Sequence, residues 1–584
     1  MTKDTVGREP IQIVEILQPL CANTYGSAPC TASGDATLKC YNVRATCQDP
    51  SNYELGTSLS LYFGKGRVAE EGLAPYIVPS LVSVATSPTK INTAGVDPDA
   101  QGLGNRALAT VVFQDHQHTD RIVDPYLGDR TADMRSADRG SFWARWLVRN
   151  KYRQNMQFNI YEGYAGQTLA QMIKRTYFVD SFDGPDSQGR VTMKGKDILS
   201  RIEERKAQAP KASDGELYID IDAAATSFEV AGALASEYDA TGTIIIDDEI
   251  MTYTGVATST NGIEFTGVTR GTDLSTAAAH TVETRVQQCL RFTDLTIDAT
   301  VTLLLDTYGA IPTSYYDSAN WTAEVGSYLS FFRVNGLITE PESVAEILSQ
   351  LQVQALFYLW WDERAQLIKL KAIRGIDAPV DVLTAEANIL PGTFKIKDMP
   401  RQRISQAWVY YDPKSYVEAF DNPSSYKRRY ITANLESETD ELNGSAAIKA
   451  IFARFTSNSS VAANTSSKIV LRYVETPRQI EFKLDSKDRD YWTGDTVGIS
   501  HHAVLDQYGL RDVRNYTIIS AKENLEAGEI SYVAEDTTLY GVIYFILGAG
   551  AADYPGAATA ALNAAYIGNA AGLLSDGTPC ATIS

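Results

Sequence analysis

Short stretches of alternating polar and apolar residues dominate the chain. GTIIIDDEIMTYTG from Gly242, ISQAWVYYD from Ile404 and RQIEFKLD from Arg478 each place every second residue on one face, and Gly, Asn, Asp and Pro bound such runs. The pattern predicts a mainly β protein with minor α content. Two segments carry a helical period. GKDILSRIEERKAQ from Gly195 sets Ile198, Leu199 and Ile202 against charges, and PESVAEILSQLQVQ from Pro341 opens on proline and carries a stripe of Val344, Ile347, Leu348 and Leu351. FYLWWDERAQLIKLKAI predicts a hairpin that turns at DERA.

Breaks in composition divide the chain into six expected segments. These are a cysteine-rich segment 1–75, a β domain 76–213, a small inserted β domain 214–288, a mixed α/β domain 289–395, a second large β domain 396–540 and an apolar Ala/Gly-rich tail 541–584. No repeat of about 20–50 residues is present, which excludes solenoids and propellers. In the tail, GVIYFILGAGAA from Gly541 is shorter than the roughly 20 apolar residues a bilayer span needs. The tail is expected as an edge strand with a loop or small helix against other subunits, membrane contact being the lesser alternative.

Composition narrows the function classes. With 584 residues, 44% hydrophobic and 21% charged, the chain is neither disordered throughout nor fibrous. Its 52 Lys and Arg against 72 Asp and Glu give a net charge of −20, which repels a phosphate backbone and excludes nucleic acid as the main partner. The opening MTKDTVGREPIQ lacks a secretory pattern, so synthesis and folding in a cytoplasm are expected. Tyr outnumbers Phe by 32 to 18, densest in YYDPKSYVEAF from Tyr410 and SYYDSANW from Ser314; such residues suit half-wet subunit contacts.

The chemistry with most promise is a quartet of thiols. Cys21, Cys30, Cys40 and Cys47 read C-x8-C-x9-C-x6-C, whereas Cys289 and Cys580 stand apart without a local His partner. Four soft sulfur ligands hold an iron-sulfur cluster or zinc. Structural zinc sites usually contain a tight C-x2-4-C knuckle, absent here. Paired disulfides Cys21–Cys30 and Cys40–Cys47 are the other alternative, against which a reducing site of synthesis counts. Iron-sulfur, disulfide and zinc therefore all stay open, in that order. Small residues Gly26, Ser27, Ala28 and Gly34 between the cysteines allow a tight wrap. His116 and His118, with Asp115 and Asp120, form a second metal candidate that reads better as a polar strand end or subunit contact. His501 and His502 read as a loop pair, and Asp247, Asp248 and Glu249 as solvated carboxylates capping a hairpin. HExxH, GxSxG and Walker patterns are missing, as is a GxGxxG in the right context, so no enzyme is expected.

Three resemblances join these readings. The cysteine spacing, the VEILQPLC leading into it and the CQDPSNY closing it resemble the cysteine-rich domain of lambda-type phage tail tip proteins, which implies a [4Fe-4S] cluster on Cys21, Cys30, Cys40 and Cys47. The motif opens this chain, whereas the lambda-type protein carries it after an N-terminal domain. The segment from Gly242 to His280, with IDDEI-x-YTG, GVTRGT and a closing His, is similar to a small β module of phage tail and baseplate proteins. RVTMKGKDILSRIEERKAQAP from Arg190 and GDTVGISHHAVLDQYGLRDVRNYTIISAKEN from Gly494 are similar to baseplate hub segments of long-tailed phages.

Together the resemblances imply a multidomain phage tail hub, mainly β with minor α, carrying an inserted small β domain. Such a hub sits at the distal end of the virion tail after synthesis in the host cytoplasm. It forms a homotrimer, closes the tube, attaches fibres and opens for DNA ejection. Its partners are the distal tail protein, the tape measure protein and tail fibres, and DNA transits it without specific binding. Two other classes compete: a virion-associated hydrolase of envelope glycan or peptidoglycan, which needs two carboxylates about 5–9.5 Å apart, and a disulfide-stapled adhesin.

Overall fold

The computed structural model describes residues 9–536 apart from 33–38, 67–72, 75, 96–101, 130–139, 204–206, 375–376, 440–442, 489 and 507. The expectations for the tail 541–584 and Cys580 lie outside the described residues.

The first unit is an eight-stranded sheet. Its strands are β1 (Pro10–Gln18), β2 (Leu59–Gly64), β3 (Ile77–Val78), β4 (Leu81–Ser87), β5 (Leu108–Gln114), β6 (Gln157–Tyr164), β7 (Ile173–Asp183) and β8 (Arg190–Lys196), ordered β3-β2-β1-β6-β7-β8-β5-β4. All neighbours run antiparallel except β2 and β3. The helix α1 (Phe142–Arg149) lays Phe142, Trp143 and Trp146 onto Phe63, Phe113 and Phe158 of the sheet. Both indoles keep a polar partner, Trp143 donating to Ser80 Oγ at 3.1 Å and Trp146 to Gln18 Oε1 at 2.7 Å, so large rings are buried without stranding an N–H. Segments 1–75 and 76–213 thus share one sheet. Their expected boundary does not divide the fold, because β1 is held between β2 and β6 by long-range pairing.

The helix expected from Gly195 is also corrected. Residues Arg190–Lys196 are β8, and the helical part is one short turn, Ile198–Ile202. Ile198, Leu199, Ser200 and Ile202 are buried, so four of the five residues of this turn face the core shared with the mid-chain helices.

The insert folds around its own core. A four-stranded sheet (Glu216–Leu217, Ser227–Ala231, Gly262–Thr266, Gly255–Ser259) faces a three-stranded one (Glu249–Tyr253, Gly242–Ile246, Gln287–Gln288), with Phe228, Val230, Ile244, Ile246, Met251 and Phe265 among the residues between them. Ile250 pairs with Ile245, and both point the other way, onto Cys289 and Leu337 of the neighbouring unit. Ile244 and Ile246 face inward as the alternation predicts; Ile250 does not.

Beyond the insert, the helix Val344–Ala355 buries Val344, Ile347, Leu348 and Leu351 as the stripe predicts. Pro341 does not start it: Glu342–Ser343 pair as a short strand with Gln208–Ala209, and Ser343 is the N-cap. The hairpin Phe357–Asp362 with Leu367–Ala372 follows. The last part holds a six-stranded sheet ordered Val382–Thr384, Thr496–Leu505, Arg511–Asn524, Glu529–Asp536, Arg478–Asp485, Lys395–Asp398. A three-stranded sheet (Tyr426–Ala433, Gln406–Pro413, Ile448–Ala453) lies beside it, packed against the helix Ser459–Tyr473. α1 carries a clear apolar face but is only eight residues long, and the helices Ser459–Tyr473, Ile297–Leu303 and Ser318–Glu324 carry too little regular apolar period to be read from sequence. Among the described residues no helix is long and apolar enough to cross a membrane.

Candidate metal centre

All four cysteines of the quartet lie in the connection between β1 and β2, whose facing ends are paired at Gln18 and Leu59. A narrow neck continues that pairing. Gly56 N donates to Leu20 O, Ala22 N to Glu54 O, and Cys21 bridges Leu55. Gly56 is needed there, since a Cβ on it would stand 2.8 Å from Ala22 Cα. Beyond the neck the chain doubles back in tight turns: Cys30 N donates to Ser27 O at 2.9 Å, and Cys47 closes the short turn Arg44–Thr46 by donating to Arg44 O at 3.3 Å. Asn42, in the left-handed region at φ 56°, accepts from Cys21 N through its carbonyl at 2.7 Å, and its Oδ1 accepts from Cys40 Sγ at 3.7 Å.

These turns bring Cys21, Cys30, Cys40 and Cys47 to the wall of one small pocket, shared with Asn42, Asp49 and Tyr53 among others. Asp49 ties it together. Its carboxylate accepts from Thr31 N at 2.7 Å, Thr31 Oγ1 at 2.9 Å, Ser51 Oγ at 3.1 Å and Asn52 Nδ2 at 3.0 Å. The Thr31 amide and these side chains hold its carboxyl far below the usual range. With its lone pairs so occupied, Asp49 organises the loop and leaves the sulfurs as the soft donors. Its role went unread in the sequence, although it lies inside the CQDPSNY stretch.

Burial pushes the Cys40 thiol up, and charge on Cys47, Cys30 and Cys21 pushes it further. No Lys, Arg or His among the described residues lines the pocket. Negative charge on one of these sulfurs thus works against charge on Cys40. The described cysteines are free thiols, so neither Cys21–Cys30 nor Cys40–Cys47 is bridged here. The sulfurs share the pocket without closing on a point: among the described residues no three His, Cys, Asp or Glu side chains form a ready metal-binding group.

The loop is clasped to the face that carries α1. Tyr25 N donates to Tyr126 Oη at 2.9 Å, Lys39 pairs with Asp129 at 3.0 Å, and the Arg149 guanidinium lies 3.8 Å over the Tyr41 ring.

The remaining candidates resolve differently. His116 and His118 pack against Phe142 of α1, Asp115 caps that helix through Trp143 N, and Asp120 is engaged by Arg145 and Arg149. This is a polar strand end locked to a helix. His501 and His502 lie within the strand Thr496–Leu505, not in a loop, and His501 stacks on Phe394 with centroids 3.9 Å apart. Glu249 is no solvated turn residue: it is 1% exposed, bidentate with Arg270 and 2.9 Å from His280 Nε2, while His280 Nδ1 lies 2.8 Å from Asp247. The repeated acidic letters concealed which carboxylate turns inward. An open cleft between the helix Val344–Ala355 and the strand Ile448–Ala453 carries the carboxylates Glu346 and Asp421.

No protein-family model matches the chain, and no curated protein does. Among solved structures it is similar to a tail protein from Neisseria meningitidis MC58, at 10% identity and TM-score 0.36, covering 78% of this chain and 97% of that one. It is also similar to the 43 kDa tail protein of prophage MuSo2 from Shewanella oneidensis, at 10% identity and TM-score 0.35, over 78% and 93% of the two chains. Prophage tail protein gp18 from Listeria monocytogenes EGD-e follows at 8% identity and TM-score 0.31, over 78% and 87%.

Proposed function

We propose that the chain is a structural tail tip hub of a long-tailed bacteriophage whose cysteine loop is held by a [4Fe-4S] cluster. The observation that carries the cluster is the convergence of Cys21, Cys30, Cys40 and Cys47 on one pocket that no basic side chain among the described residues lines. The hub reading rests on the sequence resemblances of the cysteine segment, the insert and the hub-like segments.

Cys21, Cys30, Cys40 and Cys47 would be the four ligands, and the cluster would supply four strong bonds to a loop with almost no apolar core of its own. This chain's residues then do the positioning. The neck at Gly56 fixes the loop's entry and exit, Asp49 knots its far side, and the Tyr25, Lys39 and Tyr41 contacts dock it on the α1 face. Its role is mechanical and non-catalytic. Three copies would close the tube, join the distal tail, tape measure and fibre proteins, and open for DNA, with the −20 charge keeping transiting DNA from adhering.

Anaerobic purification with a visible spectrum and iron and sulfide analysis tests the cofactor. A broad band near about 400 nm with iron and sulfide in equal amounts is expected, and Cys40→Ser should abolish it. Colourless, iron-free protein, or a Cys21–Cys30 linkage by mass spectrometry without reductant, overturns it. Particles made without this chain should lack complete tail tips by electron microscopy; normal infectious tips would remove the hub reading.

A further inference from the structure

The open cleft beside the helix Val344–Ala355 runs along a free sheet edge. In the three-stranded sheet the strand Ile448–Ala453 is outermost and pairs, in parallel, with Gln406–Pro413 alone. Gln406 N donates to Ala447 O at 3.1 Å, which sets the alternation of the ladder: Lys449 and Ile451 turn their main chain to Gln406–Pro413, and Ala450 and Phe452 turn theirs away. Those last two residues line the cleft. Among the described residues nothing bonds to their main chain from the cleft side, and an unpaired edge of this kind is a template for a further strand.

The helix gives such a strand a second wall. Ser349 and Val353 stand across from the edge, and the space between has a volume of about 370 Å³, within the roughly 300–1,000 Å³ of built binding sites. Charge selects the occupant. Glu346 and Asp421 are exposed at the cleft, and neither forms an ion pair among the described residues; Glu346 accepts from Gln350 Nε2 at 3.2 Å. Lys449 is the one cation in the wall among the described residues. Its amine donates to Gly95 O at 3.0 Å, and burial pushes its pKa down, towards the neutral form. Two unmatched carboxylates thus face one weakened ammonium, so the cleft accepts a basic segment and repels an acidic one. Val353 and Phe452 add apolar contact between the charges.

We propose that this cleft receives an extended basic segment of another polypeptide, which adds as a fourth strand on Ile448–Ala453 and sets a Lys or Arg side chain against Glu346 and Asp421. Main-chain bonds to Ala450 and Phe452 fix its register, and its alternate side chains meet the helix. The surface shares no residue with the cysteine pocket and does not depend on a cofactor there.

Fluorescence anisotropy on the full chain tests this with two short labelled peptides, one alternating valine and lysine, the other valine and glutamate. The lysine peptide should bind about tenfold more tightly or better, and hydrogen exchange should show the amides of Ile448–Ala453 protected when it binds. Ala450→Pro removes one outward N–H and leaves the ladder to Gln406–Pro413 in place, so it should abolish binding with the thermal midpoint little changed. Glu346→Gln with Asp421→Asn should cut the preference for lysine to about threefold or less. If Ala450→Pro does not fold, the exchange pattern and the double variant decide. Binding that survives Ala450→Pro, or that protects no amide in 448–453, is adsorption to an acidic surface and overturns the proposal. So do equal affinity for the two peptides, no affinity for either, or a preference unchanged in the double variant. A change in oligomeric mass of Ala450→Pro by light scattering assigns the edge to a second copy and overturns it as well.

Discussion

Glu363, in the turn of the hairpin 357–372, is 2% exposed and has an oxygen without a partner. Burial pushes its carboxyl up to about 7, against the pull of the Arg175 charge. The folded chain therefore keeps a proton that the unfolded chain releases above its ordinary value near 4.5. Stability from this group is full below that value and is lost as pH rises through about 7. Glu363→Gln should flatten the fall in thermal midpoint between mildly acidic and mildly alkaline pH, a difference of about 1–3 kcal/mol; parallel curves for variant and wild type would refute the assignment. Glu249 behaves in the opposite sense. Burial would raise its carboxyl, but hydrogen bonds from Arg270, Ala278 N, His280 and Gly271 N outweigh that and hold it at about 2. Its stabilisation is complete above 4.5 and disappears as pH falls through about 2. Glu249→Ala strands Arg270 and His280 and should cost the insert about 3–5 kcal/mol by calorimetry.

At the scale of elements, glycine placement decides how the last sheet meets the hairpin. Gly494, at φ 96°, precedes the strand Thr496–Leu505, and a Cβ there would stand 2.2 Å from the Trp360 ring. Gly494→Ala should destabilise by about 2 kcal/mol or more in urea unfolding, with the indole displaced; a neutral result would mean the strand start can shift freely. The helix Val344–Ala355 was legible because its four apolar positions recur on one face over about two turns. The helix Ser459–Tyr473 was not. Its buried face includes Thr465 and Ser466 beside Val461, Ile469 and Val470, and Ser466 Oγ meets Thr432 Oγ1 of the strand Tyr426–Ala433 at 2.7 Å. Hydroxyls that find partners only after packing look, in a linear pattern, like a loop.

For the whole molecule, the insert enters and leaves side by side. Ser213 N donates to Gln287 Oε1 at 3.1 Å, Gln288 N to Ser213 Oγ at 3.1 Å, and Val286 N to Gly215 O at 2.8 Å. Replacing 214–286 by a short Gly linker should leave the remainder folded, with an unchanged response of the cysteine loop to iron. It should cost some stability, because Ile245 and Ile250 cover Leu337 and Cys289. Loss of all cooperative unfolding would show instead that the insert is integral to the fold.

What the amino-acid order determined by itself was local. Alternation in the 242–253 hairpin, the stripe of Val344, Ile347, Leu348 and Leu351, and the crowding of four cysteines into one connection all arise from residues near one another along the chain. Only the tertiary structure decided that 1–75 and 76–213 share a sheet, that Ile250 faces outward from the insert, and that Glu249 is buried where Asp247 is exposed. It also decided that Asp49 spends its carboxylate on the loop, leaving the sulfurs to the pocket. Periodicity records which way neighbouring side chains point, whereas burial and charge depend on what distant strands bring against them.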